Sequence, residues 1–180
     1  MMSMNIVYCK TKTKNEIQQI LKLQKQNLPN NLSTEEKIKE GFVSVSHTLD
    51  ILEEMNTICP HTIAKYNGKV IGYALSMHPM FANKIELLKP MFNQIKELLP
   101  EEKNYIVMGQ ICIDKEYRKK GVFRNLYKEM KVFLLPEYSS IITEVDFKNK
   151  RSLDAHIAVG FKVLGKYISA KQEWVILTLK

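Results

Sequence analysis

Apolar positions recur along the chain in two ways, and each way predicts a different element. Runs rich in β-branched and aromatic residues predict strands, whereas apolar residues repeated every three or four positions predict amphipathic helices. The predicted strands cover residues 5–9, 63–66, 70–77, 105–113, 140–145, 162–169 and 172–179. The predicted helices cover residues 15–28, 48–55, a stretch from Val122 through Leu134 and a shorter one after Asn149. The mixed order of these elements predicts an α/β domain.

Local signals mark where several of these elements begin and end. Asn67-Gly68, between two strands, is the strongest short-range signal for a two-residue hairpin. Asn149 and Gly160 are typical of the cap and the end of a helix, and Asn15 is the expected cap of the first helix. These signals place the turns of the predicted fold.

The segment between the first helix and the hairpin carries two further predictions. Ser33 and Glu36 form a capping-box pattern, which opens a short second helix that Gly41 ends. The helix over residues 48–55 is expected to turn three side chains inward: Leu49, Leu52 and Met55.

Length and composition narrow the class of protein. A length of 180 residues is typical of a single domain. The content of 45% hydrophobic and 26% charged residues is ordinary for a globular protein. The net charge of +8 favours an anionic partner, which could be a nucleotide cofactor, a nucleic acid or an acidic surface. Composition alone does not choose among these partners.

The cysteines and the apolar runs indicate the compartment. Cys9, Cys59 and Cys112 are odd in number and widely spaced, which fits neither a disulfide framework nor a Cys-x-x-Cys metal site. No apolar run reaches the roughly 18–20 residues that a membrane span needs, and the N-terminus lacks the apolar segment of a signal peptide. A soluble protein of the reducing cytoplasm is expected, without a membrane partner.

A basic turn between the strand over 105–113 and the following helix is the first candidate site. The turn carries Arg118, Lys119, Lys120 and Gly121, and Arg124 follows in the first helical turn. The N-terminus of a helix presents unpaired N–H groups and attracts anions, and glycine lets the backbone approach a ligand closely. The turn therefore favours phosphate binding, although a merely solvated basic turn is the alternative.

Arg118-x-x-Gly121-x-Phe123 resembles the Arg/Gln-x-x-Gly-x-Gly/Ala signature of the GCN5-related N-acetyltransferases, the GNAT family. The resemblance implies that the N–H groups of the turn hold the pyrophosphate of acetyl-coenzyme A, and that the preceding strand pairs with the pantetheine arm and polarises the thioester. Phe123 departs from the small residue of the family. The implied cofactor-binding residues of this stretch are Ile111, Cys112, Ile113, Arg118, Lys119, Lys120, Gly121, Val122, Phe123 and Arg124.

A second stretch extends the same resemblance. Asn149, Ser152, His156 and Gly160-Phe161 have the spacing of the family's Asn-x-x-Ala/Ser-x-x-x-Tyr-x-x-x-Gly-Phe segment. The resemblance implies that Asn149 and Ser152 line the thiol end of the cofactor. His156 stands where the family often has the tyrosine that protonates the departing thiolate. Histidine can supply a proton near neutral pH, although a lone histidine on a helix is often structural.

A general base for the acceptor amine is harder to identify. Glu144 is the first candidate, with Asp146 and Gln110 weaker, and Glu144 and Asp146 share one face of their strand. Either acid could instead be solvated, and water could serve as the base. Cys112 could be imagined as a covalent acyl carrier, but in an apolar strand it is better explained as a core residue.

Residues 79–99 form an insertion at a place where the family often has a brief connection. Pro90 is placed as the N-terminal proline of a helix. The apolar stripe that follows must be buried, and packing against the core is favoured over a wall of the acceptor pocket or a dimer contact. The stripe comprises Leu88, Met91, Phe92, Ile95, Leu98 and Leu99.

These observations together predict one GNAT-like domain over residues 1–180. Its fold is expected to be mixed α/β: a central, mostly antiparallel twisted sheet of about six or seven strands flanked by helices, with a helical insertion at about 79–100. The expected activity is acetyl-coenzyme A-dependent acetylation of an amine, on a small molecule or a protein, by direct attack on the thioester. The protein is expected to be a monomer or a homodimer.

Two alternatives remain at this point. One is a coenzyme A-binding sensor of the same fold without catalysis, and the other, less favoured, is a basic nucleic-acid-binding protein. Motifs of other chemistries are absent from the sequence, including the phosphate loop Gly-x-x-x-x-Gly-Lys-Ser/Thr and the zinc motif His-Glu-x-x-His. The four histidines lack metal-ligand spacing, so no metal is expected.

Overall fold

The structure, a computed structural model, describes residues 4–36, 42–43 and 45–180. In this part of the chain seven strands form one sheet in the order β1-β2-β3-β4-β5-β7-β6. The strands are β1 (Val7–Lys10), β2 (Thr62–Tyr66), β3 (Lys69–Met77), β4 (Tyr105–Ile113), β5 (Ser140–Asp146), β6 (Lys162–Ser169) and β7 (Gln172–Leu179). The helices are α1 (Lys14–Gln26), α2 (Leu49–Ile58), α3 (Lys89–Leu98), α4 (Val122–Leu134) and α5 (Lys150–Ala158).

The predicted fold class is confirmed, because helices flank a mostly antiparallel sheet. β4 and β5 run parallel, paired from Tyr105–Ser140 to Val107–Ile142. The β2–β3, β5–β7 and β6–β7 pairs are antiparallel. No helix among the described residues is long and apolar enough to cross a membrane.

The hairpin between β2 and β3 forms where the sequence predicts it. Asn67 and Gly68 both have positive φ, 48° and 78°. A type I′ turn needs positive φ at both central residues, and Asn-Gly tolerates this better than other dipeptides. The local sequence therefore determines this turn.

The start of α1 differs from the prediction. The cap is Thr13 and not Asn15: the Thr13 hydroxyl accepts a hydrogen bond from the Glu16 N–H, and the Glu16 carboxylate accepts one from the Thr13 N–H, at 3.2 and 3.0 Å. Asn15 lies inside the first turn, where its side chain bonds Gln19. The reciprocal capping box favours Thr13, because it satisfies two backbone donors at once.

Two further helical predictions have mixed outcomes. α2 begins at Leu49 after the Thr48 cap and extends to Ile58, beyond the predicted end; Leu52 and Met55 are buried, whereas Leu49 is partly exposed. The capping-box bonds between Ser33 and Glu36 are present at 2.9 and 3.2 Å. Gly41 and most of the helix predicted there lie outside the described residues.

The chain forms two compact units. The first comprises Met1–Ser76 with Gln110–Phe133, and the second comprises Met77–Gly109 with Leu134–Lys180. The core of the first unit joins strand and helix residues, with Ile111 and Ile113 packed against it. This core includes Ala64, Ile71, Val122 and Leu126.

The core of the second unit includes the insertion. Met91, Phe92 and Ile95 of α3 are buried, and Pro90 lies in the first turn of that helix, as predicted. α3 contacts β6, where the Leu98 side chain packs against Gly165. Most of the apolar stripe of the insertion is therefore buried within its own unit, with Leu98 and Leu99 partly exposed, which agrees with the favoured prediction of core packing.

Candidate active site

The basic turn of the first unit owes its shape to two residues with left-handed backbone conformation. After β4, a short 3₁₀ turn over Lys115–Tyr117 is capped by the Asp114 side chain, which accepts from the Glu116 N–H. Lys119 and Gly121 follow with φ of 61° and 79°, and α4 begins at Val122. Glycine adopts this conformation freely, whereas a lysine pays roughly 1–2 kcal/mol for it. The chain therefore enters the helix through a strained turn.

The outer surface of this turn suits an anionic ligand. Lys119, Lys120, Gly121 and Arg124 are exposed, whereas Val122 is buried beneath them. A Cβ placed on Gly121 would meet no atom closer than the Asn125 Nδ2 at 4.0 Å. The backbone is thus open to a ligand at this position, beside the first N–H groups of a helix and three cations, and these features fit a pyrophosphate.

Arg118 fixes the turn to the rest of the first unit. Its Nε donates to the Ile113 carbonyl at 3.1 Å, and its Nη2 donates to the Asn27 Oδ1 at 2.6 Å. Asn27 ends α1 and in turn donates to the Leu23 carbonyl at 2.8 Å. The Arg118 guanidinium therefore anchors the turn to β4 and α1, a role that the sequence motif alone does not indicate.

Phe123, the departure from the family signature, is accommodated by α4. Its ring is partly buried and meets the Tyr127 ring edge to face, with the centroids 5.2 Å apart. The aromatic side chain packs along the helix, and the space beside Gly121 remains open.

The strand before the turn contributes backbone and packing. Ile111 and Ile113 are partly buried against the core of the first unit. Cys112 is buried, and burial raises the pKa of its thiol to about 12. A thiol with this pKa stays protonated at neutral pH, so Cys112 fits the core role better than that of an acyl carrier.

Gln110, one of the weaker base candidates, belongs to a buried hydrogen-bond network. Its Oε1 accepts from the Gln24 Nε2 at 2.9 Å and the Tyr73 hydroxyl at 2.6 Å, and its Nε2 donates to the Val45 carbonyl at 2.8 Å. Gln24 also donates to the Nδ1 of His47. Burial lowers the pKa of the His47 imidazole to about 4. Gln110 is thus fixed by neutral partners and joins three chain segments.

The second motif forms one connected arrangement on α5. Asn149 caps the helix as predicted, because its Oδ1 accepts from the Ser152 N–H at 3.1 Å. The Ser152 carbonyl accepts from the Nδ1 of His156 at 2.7 Å. Gly160 follows the helix with a φ of 107°, as the C′ prediction requires. Asn149, Ser152 and His156 are therefore brought together within two helical turns.

His156 is buried, and its environment sets its protonation. Burial lowers the pKa of the imidazole to about 4, despite the opposing hydrogen bond to Ser152. A backbone carbonyl can only accept, so the Nδ1 carries the proton and the Nε2 of the neutral ring is an acceptor. At neutral pH His156 is therefore a neutral ring, and donating a proton from Nε2 would require the disfavoured imidazolium.

Glu144, on β5 of the same unit, has the opposite shift. Burial raises the pKa of its carboxyl to about 7, while a hydrogen bond from the Tyr167 hydroxyl to its Oε2 opposes this rise. Asp146, two residues on, accepts from the Gln172 Nε2 at 2.6 Å and the Lys148 N–H at 2.8 Å. The Glu144 carboxyl can thus exchange a proton near neutral pH, whereas the Asp146 carboxylate is held in place by hydrogen bonds.

Tyr167 is a residue that the sequence analysis did not identify. Its place in the fold is set by the closing hairpin, whose two-residue turn has Ala170 and Lys171 at positive φ, 50° and 63°. That turn sets Tyr167 opposite Trp174, and Trp174 opposite Asp146. In the described residues, no group of three or more His, Cys, Asp or Glu side chains is arranged to hold a metal ion.

Comparisons with known proteins find similarity to acetyltransferases. The model of the Acetyltransferase (GNAT) family matches residues 17–161. Comparison with curated protein sequences finds no match.

Solved structures of acetyltransferases share the fold. The ribosomal-protein-S18-alanine N-acetyltransferase from Escherichia coli aligns with a TM-score of 0.64 at 12% identity, over 97% of this chain and 92% of that one. An N-acetyltransferase from Staphylococcus aureus Mu50 aligns at 0.62 and 18% identity, over 97% and 98%. The protein yncA from Salmonella typhimurium, solved with its cofactor acetyl-CoA, aligns at 0.63 and 12% identity, over 97% and 93%.

Proposed function

Because the chain belongs to the GNAT family of acetyltransferases and so uses acetyl-coenzyme A, we propose that it acetylates an amine by direct attack on the thioester. The cofactor, when bound, supplies the acetyl group in activated form as a thioester. The chain's own residues then have three tasks: to hold the pyrophosphate, to remove a proton from the acceptor amine, and to favour departure of the thiolate.

The signature turn is proposed to hold the pyrophosphate. The N–H groups from Lys119 to Arg124 would donate to it, with the Lys119, Lys120 and Arg124 side chains adding charge, while Arg118 keeps the turn in place. The open surface at Gly121 supports this role. Ile111 to Ile113 are proposed to pair with the pantetheine arm, and Asn149 and Ser152 to line the thiol end.

Glu144 is proposed as the general base, and its environment is the observation that carries the proposal. An amine must lose a proton to become a nucleophile, and a base works best when its pKa lies near the working pH. Burial raises the pKa of Glu144 to about 7, far above the usual range of a carboxyl group. The carboxylate can therefore take a proton from an ammonium group near neutral pH and release it afterwards.

His156 is proposed to act at the leaving thiolate, with a small effect. Its lowered pKa keeps the imidazolium scarce at neutral pH, so proton donation contributes less than the roughly 10²–10⁴-fold of a well-matched acid. If His156→Phe keeps full turnover and binds acetyl-coenzyme A normally, the acid role is wrong.

The experiment that tests the proposal is an acceptor panel. Release of the coenzyme A thiol is followed with small amines, amino acids, aminoglycosides, polyamines and peptides that carry free α- and ε-amino groups. The expected result is amine-dependent thiol release with an acetylated product identified by mass spectrometry. Binding of acetyl-coenzyme A without turnover on any of these amines would contradict it and favour the coenzyme A-binding sensor.

A further inference from the structure

We propose that Tyr167 is a positioning residue for acetyl transfer, acting through its hydrogen bond to Glu144. The hydroxyl orients the carboxylate and favours its ionised, base-competent form. This inference rests on the proposed function, in which Glu144 is the base. Four features of the second unit lead to it: the hydrogen bond from Tyr167 to Glu144, the register of the sheet, the packing of α3 on β6, and the neighbouring charged groups.

The hydrogen bond leaves one carboxylate oxygen for chemistry. The Tyr167 hydroxyl donates to the Glu144 Oε2, and within the described part of the chain the Oε1 accepts no bond. Burial and the nearby carboxylate raise the pKa of the Tyr167 hydroxyl, so it remains a donor throughout the working pH range. Tyr167 therefore fixes one oxygen and leaves the other to accept a proton.

The register of the sheet explains why a tyrosine is needed. Glu144 pairs with Ile176 and Ile176 with Gly165, while Asp146 pairs with Trp174 and Trp174 with Tyr167. Paired residues share a face, so Tyr167 and Glu144 lie on one face two strands apart, a distance of about 10 Å between strand axes. Tyrosine is long enough to reach across β7, whereas the shorter serine and threonine are not.

An irregularity in β6 sets this face. The β6–β7 register shifts between Val163 and Gly165, as it does at a β-bulge. An extra residue in one strand reverses the direction of the side chains beyond it, so the bulge places Gly165 and Tyr167 on the face of Glu144. Bulges of this kind often re-aim side chains next to active sites.

The insertion covers the same face. A Cβ on Gly165 would lie only 2.6 Å from the Leu98 Cδ1, so the glycine leaves room for α3 to pack directly on β6. Gly165 shares its face with Glu144 and Tyr167, and α3 therefore helps to exclude water from the pair. The insertion serves as core packing and as a wall beside the proposed base.

The other charged groups considered around this pair have partners of their own or are exposed. Asp146 accepts from Gln172 and the Lys148 N–H. Lys166 pairs with Glu173 at 3.2 Å, and His156 is a neutral ring bound to the Ser152 carbonyl. On α3, Lys96 and Glu97 are exposed, and Glu97 accepts from Gln94. Tyr167 thus stands out as the group that can control the proton on Glu144.

A carbon-13 NMR titration tests the pair without an acceptor. Protein labelled at the glutamate carboxyl carbons is titrated with pH, and Glu144→Gln assigns the signal. The wild type is expected to titrate near 7, and Tyr167→Phe to raise the midpoint by about one pH unit, because the ionised form loses a charge-assisted hydrogen bond. Tyr105→Phe removes the hydroxyl of another buried tyrosine of the same unit and is expected to leave the midpoint unchanged.

Kinetics with a peptide that carries a free N-terminus and one lysine tests the catalytic consequence. In Tyr167→Phe the acid limb of kcat/KM is expected to move to higher pH by the same amount, with the rate approaching that of the wild type above this limb. An equal loss at every pH would overturn the positioning role in favour of a structural one. An unshifted Glu144 midpoint would overturn it even if the peptide is not acetylated, so this failure is distinguishable from failure of the proposed function.

Discussion

The signature turn and the Glu144 region solve different problems by different means. The turn is exposed and cationic, and its backbone takes its shape from Lys119 and Gly121, both with positive φ. The Glu144 region is largely enclosed, with pKa values displaced toward the neutral forms of both Glu144 and His156. Binding an anion needs accessible N–H groups and charge, whereas moving a proton near pH 7 needs burial.

The difference predicts where substitutions act. Changes in the turn should weaken cofactor binding, and changes around Glu144 should lower turnover or move its pH dependence. A single variant that lowers cofactor affinity and turnover equally would contradict this separation.

Replacing the proposed base should have the largest effect. Glu144→Gln is expected to lower kcat/KM roughly 10²–10⁴-fold, because the amide accepts no proton at working pH. Steady-state kinetics measures this loss, and calorimetry should find acetyl-coenzyme A affinity unchanged. Asp146→Asn, on the same face, is the matched control and should lose far less activity. Comparable losses in the two variants would contradict the assignment of Glu144.

Acid should destabilise the fold through its buried histidines. Burial lowers the pKa values of His47, His61 and His156 to about 4. The unfolded chain titrates near 6.5 and takes up more protons between these values, so stability is full above pH 6.5 and falls as pH drops toward 4. Each histidine contributes up to about 3 kcal/mol, a figure that follows from the 1.36 kcal/mol per pKa unit.

Urea unfolding at several pH values measures this loss. The free energy of unfolding should decrease from pH 7 to pH 4.5, and His156→Phe should show a shallower decrease because one of the three groups is gone. A free energy that stays constant over this range would contradict the neutral histidines, and with them the enclosed character of the second motif.

Crowding the cover over β6 should have a smaller effect. Gly165→Ala is expected to destabilise the protein by about 1–3 kcal/mol, because the new methyl group meets Leu98. Thermal unfolding measures this change. The double variant with Leu98→Ala should be less destabilised than the sum of the single variants, since the methyl group then has space. Strict additivity would show that α3 does not press on Gly165.

Local signals in the sequence were sufficient for much of the fold. The hairpin at Asn67-Gly68 and the cap at Asn149 depend on a few neighbouring residues, and both are confirmed. The closing strands have the predicted bounds, Lys162–Ser169 and Gln172–Leu179. The cap of α1 was missed because Thr13 and Asn15 are both competent caps, and only the reciprocal bond with Glu16 distinguishes them.

The chemistry of the site was less accessible from the sequence. The motif indicated Arg118, but not that its guanidinium binds Ile113 and Asn27, since Asn27 is distant in sequence. The contact of Tyr167 with Glu144 depends on a bulge and on the register of two strand pairs. Protonation of His156 follows from burial, which its helical position does not reveal.

The central claim is that acetyl-coenzyme A binds at the signature turn, and a matched pair of glycines tests it most directly. Gly121 and Gly68 have nearly equal φ, 79° and 78°, and a Cβ added at either position would have space around it. Gly121→Val and Gly68→Val should therefore lose similar stability, about 1–3 kcal/mol each. Calorimetric titration with acetyl-coenzyme A should find at least about a tenfold weaker affinity in Gly121→Val, equivalent to 1.4 kcal/mol, and wild-type affinity in Gly68→Val. Equal affinity in both variants, or no binding by the wild type, would contradict the account.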